Sequence, residues 1–145
     1  MTSIDELLAK AKTDAETPPQ SDPIDVLIGG ELVTLVFARA DGKAWAGECA
    51  RYPMRLGVKI DEAYGYDFHR VVMAISPTTG KQLVDGVESV LTEEQWQGIY
   101  AEGVLSGHDF EKIADAVWAL NEWGPQSRVA ALKKASRVAS ATNSD

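Results

Sequence analysis

The sequence predicts an α+β fold in which one or two N-terminal β-hairpins pack against a mainly helical C-terminal half. Apolar residues alternate on both sides of Gly29-Gly30, a pair typical of a two-residue hairpin loop. From Thr92 onward, apolar residues recur at helical spacing instead. The chain has 145 residues, of which 45% are hydrophobic and 25% charged, so its size fits one domain with a single core.

The segment 1–23 is predicted to lie outside that core. A capping box at Ser3 begins a short amphipathic helix with Leu7 and Leu8 on its apolar side. Residues 13–23 then place three prolines among acidic and small polar residues, which cannot continue a helix. We therefore expect a helical arm joined to the domain by a mobile, Pro-rich acidic linker.

Residues 24–139 are predicted to form a single α+β domain. The elements expected in its first two thirds are a hairpin over 24–38, a short helix over 43–51, a loop over 52–66, a helix from Phe68 with Pro77 beyond its end, and a weaker hairpin over 81–90. Asp85-Gly86 supplies the turn of the second hairpin.

The last third is predicted to be helical. The elements expected there are a helix capped by Thr92 with a stripe that reaches Val104, a strongly amphipathic helix from Phe110 to Trp123 with Gly124 as its C-cap, a basic helix over 126–139 opened by Pro125, and a disordered tail over 140–145. The basic residues Arg128, Lys133, Lys134 and Arg137 are interpreted as a solvated helix face rather than an anion-binding patch.

Trp118 lies off the apolar face of its helix, whereas Asn121 falls inside that face. A buried amide needs hydrogen-bond partners, so we expect some for Asn121. Two interpretations of Trp118 compete. The favoured one has another part of the domain, such as the basic last helix, cover the ring; in the other it is an exposed anchor for a partner.

Charge and cysteine content limit the function classes. The formal net charge is −8, which disfavours nucleic acid and anionic membranes as partners. Cys49 is the only cysteine, so the chain has no internal disulfide and fits a reducing compartment. There is no secretory signal pattern and no apolar run near the roughly 20 residues that span a bilayer, so we expect a cytosolic protein.

The sequence contains no arrangement typical of an active site. His69 and His108 lack metal-ligand spacing, and no phosphate-binding glycine motif occurs. The adjacent acidic pairs suit helix starts and solvent rather than acid–base catalysis; they are Asp5-Glu6, Asp61-Glu62 and Glu93-Glu94. We therefore assign no catalytic, cofactor-binding or metal-binding residue and expect a protein that is not an enzyme.

A pattern of aromatic and small residues carries a resemblance to a known family. Its segments are Asp41-Gly42-Lys43, Trp45, Tyr64-Gly65-Tyr66-Asp67, Glu94-Gln95-Trp96, Asp109-Phe110, Ala116-Val117-Trp118, Leu120-Asn121, Trp123, Pro125, Arg128, Ala130-Ala131 and Lys133-Lys134-Ala135-Ser136. From about residue 24 to residue 136, the chain resembles tail assembly chaperones of long-tailed actinobacterial phages. The N-terminal arm does not match.

The resemblance implies a chaperone, in the host cytoplasm and absent from the finished virion, that keeps the tape measure protein soluble while the tail tube forms. It implies the short product of a frameshifted gene, with the longer form and the major tail protein as further partners, and it leaves homo-oligomers open. Our hypothesis for the partner-binding residues is Leu7, Leu8, Trp118, Glu122, Arg128, Leu132 and Arg137. The alternatives are a structural virion protein, such as a tail or connector subunit, and a small host-directed binding protein.

Overall fold

The computed structural model describes residues 2–143. Its elements, in chain order, are α1 (Ile4–Asp14), β1 (Ile24–Ile28), β2 (Glu31–Phe37), α2 (Gly42–Arg51), α3 (Lys59–Tyr64), α4 (Phe68–Thr79), β3 (Gly80–Val84), β4 (Val87–Val90), α5 (Glu93–Ile99), α6 (Gly107–Trp118), a π-helical turn (Ala119–Trp123) and α7 (Gly124–Asn143). The predicted α+β class, with a helical C-terminal half, is confirmed.

The two predicted hairpins join in one antiparallel sheet with the strand order β1-β2-β3-β4. The Gly29-Gly30 turn has φ angles of 61° and 81°, and the Asp85-Gly86 turn has 50° and 77°. Positive φ at both turn residues matches the right-handed twist of the flanking strands. The pairing of β2 with β3 was not predicted, because α2, α3 and α4 separate these strands in the sequence.

The helices cover one face of the sheet. The buried apolar residues that form the core are Ile24, Val26, Leu35, Phe37, Ala40, Trp45, Tyr66, Phe68, Val71, Val72, Ile75, Trp96, Ile113, Ala114 and Val117. The alternating pattern of β1 places Leu27 on the other face, where it pairs with Leu32. These two leucines are 54% and 73% exposed, so this end of the far face is open and apolar, whereas Val36 on the same face is buried.

The outer edge of β1 is covered by α6. Asp109 is buried, and its Oδ2 accepts a hydrogen bond from the Leu27 N–H at 2.9 Å. Lys112, one turn later, lies 3.2 Å from Asp109 Oδ1 and donates to the Asp25 carbonyl at 2.5 Å. The sequence of α6 thereby protects an edge strand that would otherwise offer free backbone groups.

The predicted loop 52–66 contains α3, so that prediction is wrong in part. Asp61, expected to face solvent, is fully buried. Its carboxylate accepts bonds from the Arg55 backbone N–H and from Arg55 Nε, both at 2.9 Å. An ion pair of this kind organises the five intervening residues, which carry no strong helical periodicity, so the sequence pattern did not predict it.

Two predicted helix ends in the middle of the chain are also wrong. Pro77 lies inside α4, whose last residue is Thr79. A proline in the last turn removes only one backbone hydrogen bond. α5 ends at Ile99, and Gly103 adopts a φ of 82°, so Gly103 and Val104 lie outside the helix.

Gly124 is not a C-cap. Its φ and ψ are −57° and −54°, and the chain continues from α6 into α7 without a break. The Gly124 N–H bonds the Ala119 carbonyl five residues earlier. We attribute this wider turn to Pro125, because a proline ring clashes with the carbonyl four residues before it and has no N–H to donate.

Both ends of the chain differ from expectation in detail. The end of the predicted mobile linker is tied to the sheet: Ser21 N–H bonds the Phe37 carbonyl at 2.7 Å, and Arg39 N–H bonds the Pro19 carbonyl at 2.8 Å. At the other end, the predicted disordered tail is helical as far as Asn143. The last two residues of that prediction, 144 and 145, lie outside the described part of the chain.

Candidate functional site

Five of the seven predicted partner-binding residues lie on two exposed helices. α1 buries none of its residues, and Leu7 and Leu8 are 47% and 53% exposed. On α7, Leu132 is 53% exposed, and Arg128 and Arg137 are exposed as well. Since apolar side chains on an amphipathic helix are normally covered, these two helices offer surface for a partner.

The other two predicted residues are used inside the domain. Trp118 is half-buried between Tyr64, which it meets edge-on at 5.9 Å between ring centroids, and Trp123, on which it stacks at 6.2 Å. The domain therefore covers Trp118, as the favoured interpretation held, but α3 and the π-helical turn do so instead of the basic helix. Glu122 accepts a hydrogen bond from the Tyr66 hydroxyl at 2.8 Å.

Asn121 has the partners that its position required. Its Oδ1 accepts from the Ala40 N–H and its Nδ2 donates to the Val117 carbonyl, both at 2.9 Å. The amide thus joins α6 to the segment that follows β2. Its role is structural, and it fixes the position of the helical turn that carries Trp123.

Arg39 joins the chain segments from which α1 and α7 extend. Its backbone N–H bonds the Pro19 carbonyl, and its Nε donates to the Leu120 carbonyl at 3.0 Å. In the wider helical turn, a carbonyl accepts a hydrogen bond from the backbone N–H five residues later. For Leu120 that residue is Pro125, which has no N–H, so Arg39 supplies the donor. The linker that follows α1 and the first residue of α7 therefore lie close together at one corner of the domain.

A groove opens at this corner, with a volume of about 480 Å³. We call it the corner groove; its lining residues are Pro19, Ser21, Asp22, Pro23, Ile24, Arg39, Ala116, Ala119, Leu120, Trp123 and Gly124. Most of these are apolar, and Trp123 is 56% exposed. An exposed tryptophan beside an apolar groove is the kind of feature that anchors protein–protein contacts.

The roles of Trp123 and Arg39 were not predicted from the sequence. In an α-helix, side chains five residues apart point in different directions, so Trp118 and Trp123 were not expected to meet. The π-helical turn brings the two indoles together with only 18° between their planes. The signal was Pro125, which was predicted to open a new helix but instead follows a widened turn within a continuous one.

The surface of α7 continues from the corner groove. Pro125, Val129 and Leu132 share one side of the helix. A shallow groove of about 450 Å³ is lined by Pro125 and Val129 together with Gln126, Ala130 and Lys133. The four cations of this helix are exposed, and within the described part of the chain none of them forms an ion pair with a carboxylate. The basic charge of α7 is therefore not used inside the domain.

Several of the buried and half-buried ionisable groups have structural partners. The Arg55 hydrogen bond lowers the pKa of Asp61, and the Leu27 N–H bond lowers the pKa of Asp109. Burial raises the pKa of Tyr66, and its bond to Glu122 raises it further. His69 is partly exposed, with Nε2 3.1 Å from Glu111 Oε1. Between residues 2 and 143, no group of three or more metal-ligating side chains converges.

A larger cleft, of about 590 Å³, lies between α2, α4 and α5. Arg51 and Arg70 both lie over the ring of Tyr52 at this cleft, at 5.4 and 5.8 Å from its centroid. Glu48 and Trp96 also line the cleft, and each has a buried polar atom with no partner among the described residues. The charges of the lining are mixed, so the cleft does not point to one ligand chemistry.

Comparison of the chain with protein-family models, with curated proteins and with solved structures finds no match. Within residues 2–143, none of the helices combines the length and apolar character that crossing a bilayer requires. The candidate functional site is therefore defined by geometry alone: the corner groove with the two exposed helices, α1 and α7, that extend from it.

Proposed function

We propose that this protein is a non-enzymatic tail assembly chaperone, the short form of such a protein, and that it binds the phage tape measure protein and keeps it soluble. One observation carries the proposal: two exposed amphipathic helices extend from a corner whose groove is apolar and ends at an exposed tryptophan. A chaperone for a long helical client needs apolar surface that stays available in a stable, soluble domain.

The charge distribution supports this function. The whole chain has a net charge of −8, whereas α7 carries four cations and no carboxylate. The acidic remainder favours solubility, and the basic helix gives the apolar surface a local charge that can select its partner.

Each contact with the client would be weak, because the exposed apolar residues of α1 and α7 are few. Many copies bound along one client would still hold it strongly, since linked weak contacts gain avidity. Weak single contacts would also allow the chaperone to leave when the tail tube forms, in agreement with a protein that acts in the host cytoplasm and is absent from the virion. The longer, frameshifted form and the major tail protein are further partners in this proposal.

The test is co-expression with the tape measure protein, measuring the client's soluble fraction and its recovery with the tagged chaperone. We expect the client to become soluble and to co-purify. An insoluble client beside a well-folded, soluble copy of this protein would contradict the proposal.

The open face of the sheet favours a second candidate, a structural virion protein. Leu27 and Leu32 are exposed there, and a stable subunit interface would cover such residues. Mass spectrometry of purified particles separates the two functions. The chaperone is expected to be absent from the particle, whereas a tail or connector subunit would be present in many copies.

A further inference from the structure

We propose that α1 of one copy packs on α7 of a second copy, and that the two copies exchange these helices reciprocally about a twofold axis at the corner groove. The proposal does not depend on the chaperone function. It starts from two helices of the same chain that each leave an apolar side uncovered.

The two helices are not packed on each other within one chain. α1 has no buried residue, and every residue of α7 from 128 to 139 is exposed. Ile4, Leu7 and Leu8 on α1 are 47–67% exposed, and Val129 and Leu132 on α7 are each 53% exposed. Burying such side chains is favourable by roughly 25 cal/mol per Å².

Charge selects which helices pair. Residues 2–22 carry five carboxylates and two lysines, whereas α7 carries four cations and no carboxylate. Pairing two copies of α7 would bring eight cations together, whereas α1 itself has three carboxylates and two lysines and is nearly neutral. Pairing α1 with α7 opposes unlike charges along an apolar seam, as in coiled coils that select their partners.

The surface area requires two such contacts. A helix of 11 residues is about 16 Å long and about 10 Å wide, so one contact buries only a few hundred Å². Stable interfaces usually bury about 1,200 Å² or more. A twofold exchange doubles the helix contact, and it brings the two corner grooves, each with its exposed Trp123, toward the axis.

Within α7, the position of each cation provides a matched control. Arg128 and Lys133 lie on the two borders of the apolar stripe formed by Val129 and Leu132, whereas Lys134 points to the opposite side of the helix. Reversing a border charge should weaken the exchange, and reversing the charge of Lys134 should not.

The first measurement is sedimentation equilibrium of the full chain over a wide concentration range. We expect a reversible dimer that Leu7→Glu/Leu8→Glu weakens by at least about tenfold, and that Val129→Glu/Leu132→Glu weakens similarly. Lys133→Glu should weaken it more than Lys134→Glu, and circular dichroism should show that each variant remains folded. A wild-type chain that stays monomeric throughout, or a dimer unaffected by either double variant, would overturn the proposal.

Mixing the two double variants tests the exchange itself. Leu7→Glu/Leu8→Glu keeps α7 intact, and Val129→Glu/Leu132→Glu keeps α1 intact. A dimer of one copy of each therefore has one complete α1–α7 contact. We expect a heterodimer that is weaker than the wild-type dimer but stronger than either variant alone. If the mixture associates no better than its components, the dimer uses another surface and the exchange is excluded.

Discussion

Gly80, the first residue of β3, is buried beneath two aromatic rings that leave no room for a side chain. A Cβ at this position would lie 2.5 Å from Trp96 Cζ2 and 2.9 Å from Phe37 Cε1. We expect Gly80→Ala to lower the free energy of unfolding by about 1–3 kcal/mol through overpacking, measured by urea denaturation.

Gly47, in the middle of α2, is the matched control for Gly80. It is exposed, and a Cβ there would meet no heavy atom within 4 Å. Gly47→Ala should therefore stabilise the protein by up to about 1 kcal/mol, because alanine favours helices. Equal effects of the two substitutions would show that Gly80 is not confined by the rings.

Cys49 carries the only thiol of the chain, and its surroundings disfavour the reactive thiolate form. Burial raises its pKa to about 11, and the charges of Glu122 and Glu48 contribute. Because an ordinary thiol has a pKa of about 8.5, the reactive thiolate is far rarer here at neutral pH. We expect Cys49 to react with dithionitrobenzoate at pH 8 on the order of 100-fold more slowly than a small peptide thiol.

Two further measurements complete the test of Cys49. The difference in rate should disappear in concentrated urea, and Glu122→Gln should raise the native rate because it removes one of the charges that disfavour the thiolate. A native rate equal to that of the peptide would mean that the thiol is not shielded.

Single residues also mark the limit of prediction from sequence. Leu7, Leu8 and Leu132 were predicted to be available to a partner, and the structure exposes all three. Their helices carry simple amphipathic patterns that no neighbouring element covers. Trp123 and Arg39 were not predicted, because their roles depend on a helical register and on contacts between residues about 80 positions apart.

At the scale of the elements, Arg39 couples the position of the N-terminal segment to that of the π-helical turn. Arg39→Met keeps the aliphatic stem but leaves the Leu120 carbonyl without this donor. We expect a loss of about 1–3 kcal/mol in the free energy of unfolding, measured by urea denaturation. Arg51→Met is the control, since Arg51 is exposed and only lies over the ring of Tyr52, and it should change stability little.

The contact between α6 and β1 makes stability depend on pH. The Leu27 N–H bond lowers the pKa of Asp109 in the folded state, and Lys112 contributes. A lowered pKa stabilises the fold fully above the unfolded value of about 3.9, and this contribution is lost as the pH falls through the folded pKa. We expect Asp109→Asn to lower the urea midpoint clearly at pH 7 and much less at pH 3.

The comparison with Asp25 tests the assignment to Asp109. The Asp25 side chain is exposed and accepts only from the Thr34 hydroxyl, so Asp25→Asn should have a small effect at both pH values. An effect of Asp109→Asn that does not change with pH would contradict an ionised carboxylate at the sheet edge.

The elements show which sequence signals are reliable. Both hairpins were predicted from their turns, and α5 from its capping box, because these signals act within a few residues. The loop assigned to 52–66, the end of α4 and the break at Gly124 were wrong. A buried ion pair organises the first, a proline is tolerated in the last turn of the second, and a wider helical turn carries the chain past the third.

At the scale of the whole molecule, the domain presents three surfaces that a partner could use: the corner groove with α1 and α7, the open face of the sheet, and the cleft between α2, α4 and α5. The proposed function assigns client binding to the first. The helix exchange would cover part of the same surface, so client binding and dimer formation would compete for α7.

The most direct test of the proposed function compares exposed apolar residues on two of these surfaces. Leu132 lies on α7 and is 53% exposed, and Leu32 lies on the open sheet face and is 73% exposed. The measurement is the soluble fraction of the tape measure protein co-expressed with the wild-type chain, with Leu132→Ser/Trp123→Ser, or with Leu32→Ser. We expect the first variant to lose most of the solubilising effect and Leu32→Ser to retain it. The reverse pattern, with both proteins folded, would place the client on the sheet face and contradict the central claim.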